Sequence, residues 1–408
     1  MNPPARAFVL GLAEENLGLP RGSIGPEDLP ADLVDLVVSA FEGKSSPCME
    51  RPYVDERLNG FLGELKRYSV EKHGFFAWKA RWPGAAPFGV CLTHDVDNIS
   101  HPRRHILQTR GRFRSRDLIL ALTGLRSLYR NLEVVANEER KRGFRSSLFL
   151  LTSNYSLRDL FPSVSSLKEE GWDIGLHGDF GTHDSFERMR EAVARFQAAM
   201  GFAPQGVREH YLRFDREKTW KIMESVGFLY DTSVGSRESL GFPMGISTPF
   251  HPPNSDWSSM KIVEIPLVLM DTTLWGHMKL REEDGFADLQ MMLERVKDVG
   301  GLFTLLWHQE AIRMKGGRLY SKILERLAKT HGFVSTAAGV ASWWNSRSIP
   351  LVRDEHEYVF KGVPPVGLRL HLECSDGVVP KVVGGTLEVA EGSTLVRVNS
   401  PEFRLRIE

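Results

Sequence analysis

The sequence predicts an α/β protein whose central part is a parallel sheet, most simply closed into a barrel. Between about residues 83 and 344, short apolar runs of strand length alternate with segments of helical periodicity. Polar residues that can take part in catalysis or metal binding stand at the carboxyl ends of several of these runs. Barrels and open α/β sheets carry their functional groups at that edge. The pattern therefore predicts both the fold class and the position of a site.

Two smaller units flank the predicted barrel domain at residues 81–348. Residues 1–80 are predicted to form a helical extension packed on the barrel, because residues 28–41 and 54–68 carry apolar side chains at helical spacing. Residues 349–408 alternate apolar and polar positions over short runs separated by glycine-rich turns. That pattern is typical of a small antiparallel β domain.

Strands and helices of the barrel domain are predicted in alternation along the chain. Ser185 and Gly201 are predicted to cap the two ends of one helix, and Gly227 to stop another. The predicted strands are 88–97, 147–152, 173–177, 206–208, 262–268 and 302–308, and the predicted helices are 157–171, 185–200, 215–226 and 286–299.

Composition excludes several classes of protein. The 408 residues have a formal net charge of zero, so no global field attracts nucleic acid. Cys48, Cys91 and Cys374 lie far apart and outside any CxxC pair, which argues against a disulfide scaffold or a zinc ribbon. No secretion signal and no apolar run of membrane-spanning length is recognised. The expectation is a cytoplasmic protein.

The strand at residues 88–97 ends in two carboxylates. Period-two alternation places Thr93, Asp95 and Asp97 on one face, with His94 and Val96 on the other. A strand end followed by an acidic turn is the alternative interpretation of this segment. Asp95 is predicted to be a general base, and Asp97 a metal ligand one pleat further on.

Imidazoles follow the strand at residues 173–177. His177 opens a loop that also contains His183. With Asp97, these two histidines would form a ligand set with open positions, suited to a divalent ion, most simply Zn²⁺. A histidine at a strand end can equally be a polar residue without a ligand role.

Three further residues complete the predicted site. Arg208 ends a short strand and is predicted to keep Asp95 ionised and oriented. His308 ends the last apolar strand, where it could protonate a leaving amine. Asp271 could orient that imidazole or instead cap a loop.

These motifs resemble those of the polysaccharide deacetylase family, the carbohydrate esterases (family 4-like) with the NodB-homology fold. Residues 93–97, 174–183, 207–213 and 305–308 are similar to its motifs, in the expected order. The resemblance implies a distorted (β/α)7-type barrel, a metal-dependent site and a backbone N–H near Tyr211 that helps stabilise an oxyanion. Two histidines of the family's second motif usually stand four positions apart, whereas His177 and His183 are six apart. The residues of these motifs resemble those of a branch of the family that is associated with surface-polysaccharide synthesis.

Three functions stay open on the sequence. The first is a metal-dependent hydrolase that removes N-acetyl or related acyl groups from amino sugars of a surface polysaccharide or its precursor. The second is a metal-poor amidase acting on a small formyl or cyclic amide. The third is a glycan-binding homologue without turnover.

One basic segment stands apart from these motifs. Between Arg103 and Arg130 the chain carries eight arginines against the single acid Asp117. The segment is either a solvated insertion or a peripheral contact with anionic lipid. An N-acetylated sugar or glycan is the expected partner, and the oligomeric state is not predicted.

Overall fold

The computed structural model describes residues 3–44, 49–354, 357–390 and 393–407, so Cys48 lies outside the described residues. The helices are α1 Pro3–Leu17, α2 Ala31–Glu42, α3 Tyr53–His73, α4 Arg103–Gln108, α5 Ser115–Leu122, α6 Leu132–Arg140, α7 Phe161–Glu169, α8 Phe186–Met200, α9 Thr219–Val226, α10 Glu282–Val299, α11 Arg318–Leu327 and α12 Ala337–Arg347. The strands are β1 Phe75–Lys79, β2 Gly89–Val96, β3 Ser147–Leu151, β4 Asp173–Gly178, β5 Gly206–Glu209, β6 Tyr230–Asp231, β7 Val263–Glu264, β8 Leu269–Met270, β9 Leu302–Leu306, β10 Phe333–Ser335, β11 Leu351–Asp354, β12 Glu357–Phe360, β13 Arg369–Cys374, β14 Pro380–Val383, β15 Gly385–Ala390, β16 Ser393–Val398 and β17 Arg404–Ile407.

A curled parallel sheet forms the centre of the molecule, in the order β7-β6-β5-β4-β3-β2-β9-β8. Strand β2 lies in the middle and is buried along its whole length. It pairs with β9 from Gly89 and with β3 from Thr93, while β10 pairs with its first residues. The predicted α/β class with a parallel sheet is confirmed.

One interrupted strand links the two ends of the sheet. The sequence predicts a single strand at 262–268, but the structure has β7 against β6 and β8 against β9 instead. Pro266 lies between them and has no N–H to donate to a sheet ladder. Its neighbours bridge the gap, since Ile265 N donates to the Asp231 carbonyl and Val268 N to the Thr304 carbonyl. The stretch from β7 to β8 therefore joins the sheet into the predicted distorted barrel.

Helices α6 to α11 pack on the barrel through buried apolar side chains. Ser185 caps α8 by accepting a hydrogen bond from Arg188 N, and Gly201 follows the helix with a φ of 76°, as the sequence predicts. Gly227 ends α9 with a φ of 97°. No described helix is long and apolar enough to cross a membrane.

The N-terminal extension packs on the barrel as predicted, but it is not wholly helical. Apolar residues of α1, α2 and α3 share one buried cluster with residues of the barrel strands and α8. Strand β1 then pairs antiparallel with β13 of the C-terminal region. Residues 1–80 therefore contribute a strand to a sheet formed mostly by the end of the chain.

The C-terminal region is antiparallel as predicted. Its strands form two four-stranded sheets, β1-β13-β16-β15 and β11-β12-β17-β14. Apolar side chains of both sheets pack with α12 and the base of the barrel, where Trp344, Tyr358 and Leu405 are buried. This packing ties the region to the barrel end opposite the carboxyl ends of the strands.

Candidate active site

The predicted site residues meet at the carboxyl ends of the barrel strands. A cavity of about 820 Å³ opens there. Asp95, Asp97, His177, Asp271 and His308 all line it, although more than two hundred residues separate Asp95 from His308. The alternation on β2 directs both carboxylates toward this cavity.

His94 lies on the other face of β2, as the alternation predicts. Its Nδ1 is within hydrogen-bond distance of the Trp307 carbonyl, and its Nε2 lies 2.7 Å from Glu139 Oε1. Tyr320 donates to the same Glu139 carboxylate. This buried network connects β2 to α6 and α11 on the outside of the sheet. His94 therefore has a structural role, whereas Asp95 and Asp97 face the cavity.

Arg208 is fully buried and holds Asp95 in place. Its Nη1 donates to Asp95 Oδ1 at 3.1 Å and to Thr93 Oγ1 at 2.7 Å, while Nε and Nη2 donate to Thr232. The guanidinium also lies 4.7 Å from the centre of the Phe149 ring. Such a fixed cation orients the adjacent carboxylate and leaves its second oxygen facing the cavity.

Asp97, His177 and His210 form a candidate metal site. One donor atom of each residue lies within 4.8 Å of the other two. His177 Nε2 is 3.2 Å from Asp97 Oδ1, and His210 Nδ1 is 3.8 Å from the same oxygen. One carboxylate and two imidazoles are a common ligand set for Zn²⁺ and related ions.

The donor atoms of this cluster fit a cation. Asp97 Oδ1 and His210 Nδ1 are buried without a hydrogen-bond partner among the described residues. His177 donates its Nδ1–H to the Arg208 carbonyl at 2.8 Å, which leaves Nε2 as the electron-pair donor. Buried polar atoms without partners are costly unless something binds them. A divalent ion would satisfy these atoms together.

The pKa shifts of His210 and Asp97 also suit a ligand set. Burial lowers the pKa of His177, but the charges of Asp95 and Asp97 raise it above its ordinary value, so metal binding at His177 would release a proton. Burial and the neighbouring His177 lower the pKa of His210 to about 4, so its ring is neutral near pH 7. Burial raises the pKa of Asp97, but contact with His177 and the charge of His308 outweigh burial and hold this pKa below its ordinary value. A carboxylate and a neutral imidazole are the forms that bind metal.

His183 is not part of this cluster, and His210 takes the place that the sequence assigns to it. His183 Nδ1 lies 3.9 Å from Asp184 Oδ1, and its carbonyl accepts a hydrogen bond from Thr219 at the start of α9. A turn precedes His183, in which Thr182 Oγ1 donates a hydrogen bond to the Asp179 carbonyl. His210 lies two positions after Arg208, directly after the end of β5. That spacing is the signal that would have identified His210 as sharing the face of Arg208.

A second pair across the cavity consists of the buried Asp271 and the partly buried His308. His308 Nδ1 lies 2.7 Å from Asp271 Oδ1, and the His308 backbone N–H donates to Asp271 Oδ2. Burial lowers the pKa of His308, but the charge of Asp271 and this hydrogen bond raise it well above its ordinary value. His308 Nε2 lies 3.8 Å from Asp97 Oδ2. A protonated nitrogen therefore faces the candidate metal site.

Tyr211 and Leu212 line the cavity in an unusual backbone conformation. Their φ angles are 61° and 50°, so two consecutive residues other than glycine adopt the left-handed region. Such strain is concentrated at functional sites. The Tyr211 side chain is half exposed and packs edge-on against His210, with ring centres 4.0 Å apart. The structure therefore places Tyr211 beside the candidate metal site.

The basic segment between Arg103 and Arg130 forms one wall of the cavity. His105, Arg112 and Tyr129 line it from this segment, and Trp275 lines it from the turn after β8. Aromatic and cationic side chains thus surround the entrance to a carboxylate- and imidazole-rich floor. This wall was not predicted to contribute to the site.

Comparison with known proteins finds similar solved structures. The sequence matches no protein-family model and no curated protein. The structure is similar to a probable polysaccharide deacetylase from Pseudomonas aeruginosa PAO1, with 16% identity, 65% of this chain and 94% of that chain covered, and a TM-score of 0.48. It is similar to Puue allantoinase, with 16% identity, 66% and 93% covered, and a TM-score of 0.49. A family 4 carbohydrate esterase from Streptomyces lividans is 12% identical over 61% of this chain and 91% of that chain, with a TM-score of 0.31.

Proposed function

We propose that this protein is a metal-dependent hydrolase that removes the N-acetyl group, or a related acyl group, from an amino sugar of a surface polysaccharide or its precursor. Zn²⁺ is the proposed metal. The observation that carries the proposal is the cluster of Asp97, His177 and His210 between two ion pairs, Asp95–Arg208 and His308–Asp271. An acyl-transfer hydrolase requires a base and an acid on either side of one electrophile.

Asp97, His177 and His210 would hold the ion. When bound, a divalent ion polarises a carbonyl and makes a water molecule more acidic. Asp95 accepts the proton of the attacking water, because Arg208 occupies its other oxygen and orients the carboxylate. Asp95 Oδ2 lies 3.6 Å from His177 Nε2, so the base stands beside the ligand set.

His308 donates a proton to the departing amine. Its raised pKa keeps Nε2 protonated at neutral pH, and Asp271 fixes the ring so that Nε2 faces the cavity. A backbone N–H near Tyr211 is proposed to stabilise the negative charge on the acyl oxygen. The cavity volume of about 820 Å³ is in the range that accommodates sugar-sized ligands.

Glycoside hydrolysis by the Asp95 and Asp97 pair is disfavoured by the geometry. Both carboxylates lie within 3.6 Å of the same His177 nitrogen. A glycosidase needs its two carboxyl groups on opposite sides of the bond that is cleaved. Two carboxylates around one imidazole suit an ion and its attacking water better.

Acetate release tests the proposal directly. Purified protein is analysed for bound metal and then incubated with N-acetylated oligosaccharides and sugar nucleotides. We expect about one divalent ion per chain and acetate release that stops after chelation and returns on adding Zn²⁺. Asp284→Asn, which changes an exposed aspartate outside the cavity, serves as the control for Asp95→Asn. Full activity in metal-free protein would refute the metal-dependent function and favour the metal-poor amidase.

A further inference from the structure

A second cavity of about 480 Å³ opens beside the cavity that contains Asp95. Lys315 and Glu282 line both cavities, so the two are direct neighbours. Charged side chains line the second cavity throughout, six of them cationic and two acidic. They are Arg114, Arg116, Asp117, Arg126, Glu282, Arg313, Lys315 and Arg318.

Three of these arginines surround one buried carboxylate. Arg114 Nε lies 2.9 Å from Asp117 Oδ2, Arg126 Nη1 donates to Asp117 Oδ1, and Arg313 Nη1 lies 3.6 Å from that oxygen. Asp117 carries a single negative charge, so it cannot neutralise three guanidinium groups. Burial and the charge of Arg126 lower the pKa of Arg313, as expected where cations crowd one another. The cluster keeps a local excess of positive charge.

The remaining groups of the cavity add to this excess. Within the described ranges, the side chains of Arg116, Lys315 and Arg318 make no hydrogen bond or ion pair with another residue. Glu282 Oε1 lies 3.3 Å from Lys322 Nζ, so a cation outside the cavity already compensates its charge. Arg318 begins α11, and the amino end of a helix is itself electropositive.

We propose that this second cavity binds a phosphate or diphosphate group attached to the acylated amino sugar. The inference rests on the proposed function for the sugar, and on the arginine cluster for the phosphate. Arginine presents a planar fork of N–H donors that matches phosphate oxygens in pairs. Because Lys315 lies at the junction of the two cavities, a phosphate in the second cavity leaves its sugar directed toward His308 and Asp97.

Direct binding of inorganic pyrophosphate tests the cluster without any turnover. Isothermal titration of the metal-loaded protein is performed with wild type, the double variant R116Q/R318Q and the control R104Q. Arg116 and Arg318 are exposed, so their replacement leaves the buried Asp117 cluster intact. Arg104 is an exposed arginine of the same basic segment that lines neither cavity. Pyrophosphate that binds at the metal instead would bind equally to all three proteins, because none of the substitutions changes a residue of the metal site.

Wild type and R104Q are expected to bind with equal Kd, and R116Q/R318Q at least about tenfold more weakly. Absence of saturable binding to wild type, or an unchanged Kd in R116Q/R318Q, overturns the inference. This outcome is independent of the proposed function. If no substrate releases acetate but the Kd values differ as expected, the hydrolase proposal fails and the phosphate site stands.

Kinetics then identify the source of the phosphate. The two arms are a soluble nucleoside-diphosphate-linked N-acetyl sugar and the same sugar diphosphate carried on a lipid in detergent micelles. R116Q/R318Q is expected to raise KM at least about tenfold for the natural source, with kcat unchanged and no effect on an uncharged N-acetyl sugar. An equal KM increase for the uncharged sugar would contradict phosphate recognition.

Discussion

Replacing Asp271 by asparagine tests whether this residue keeps His308 protonated. Asp271 contacts His308 twice, with Oδ1 2.7 Å from Nδ1 and Oδ2 accepting the backbone N–H at 3.1 Å. Asparagine keeps the size of the side chain but removes its charge. A hydrogen bond to a charged group contributes about 1.5–3 kcal/mol, and each 1.4 kcal/mol changes a rate about tenfold. The expected loss in kcat/KM is therefore about 10- to 150-fold.

The pH dependence gives the sign of this effect. Because Asp271 raises the pKa of His308, the acid stays protonated in wild type at pH values where an ordinary histidine has lost its proton. In Asp271→Asn the alkaline limb of kcat/KM is expected to move to lower pH. The loss is largest above about pH 7 and smaller below about pH 6, where an ordinary histidine is protonated anyway.

A pH–rate profile of acetate release from about pH 5 to about pH 10 provides the assay. The exposed Asp284 pairs with Arg281, so Asp284→Asn is the matched control and is expected to leave the profile unchanged. Melting temperatures of both variants separate loss of the fold from loss of the acid. An alkaline limb in Asp271→Asn that coincides with wild type would refute the role assigned to Asp271.

Three further variants or conditions follow from the same geometry. Asp95→Asn is expected to lower kcat at least about 100-fold, and equal turnover would reject Asp95 as the base. Arg208→Met leaves the buried Asp95 without its cation and is expected to lower the free energy of unfolding by about 3–5 kcal/mol in chemical denaturation; a change below about 1 kcal/mol would contradict the pairing. The basic segment exposes Ile119 and Leu125 beside its arginines. We therefore expect the protein to co-sediment with anionic vesicles at low salt and to dissociate from them at high salt. Sedimentation that does not depend on salt or on anionic lipid would end the membrane prediction.

The sequence predicts much of the barrel because its strands are local features. The apolar run before Asp95 and the alternation of Thr93, Asp95 and Asp97 appear in the structure as the buried strand β2 and its cavity face. Arg208 and His308 also stand where the ends of apolar runs place them. Parallel strands bring their carboxyl ends to one edge, so local patterns suffice to predict this part of the site.

Features that depend on distant pairing could not be predicted in the same way. Strand β1 pairs Phe75 with Cys374, and no local pattern in either segment specifies that partner. The break at Pro266 depends on two different neighbours, one at each end of the interrupted strand. The second cavity depends on Arg313 meeting Asp117 across nearly two hundred residues. Counting charges along the chain identifies the basic segment, but it does not predict the contact between Arg313 and Asp117.

The sequence predicts His183 as the second imidazole ligand, but the backbone geometry brings His210 to the cluster instead. His183 follows His177 in the same loop and therefore attracts the assignment of second imidazole ligand. After a turn closed by Thr182, the His183 carbonyl contacts Thr219 of α9 and His183 does not line the cavity. His210 directly follows β5, two positions beyond Arg208, and lines the cavity. Loop residues close in sequence are not necessarily close in space. Strand periodicity was the better guide here.

Metal binding by paired histidine variants tests the central claim most directly. Zn²⁺ content and affinity are measured for wild type, His210→Ala and His183→Ala after identical metal loading. Wild type and His183→Ala are expected to bind one ion with equal affinity, and His210→Ala to bind at least about tenfold more weakly, because it removes a donor of the cluster. Unchanged binding in His210→Ala, with loss in His183→Ala, would contradict the site described for this protein.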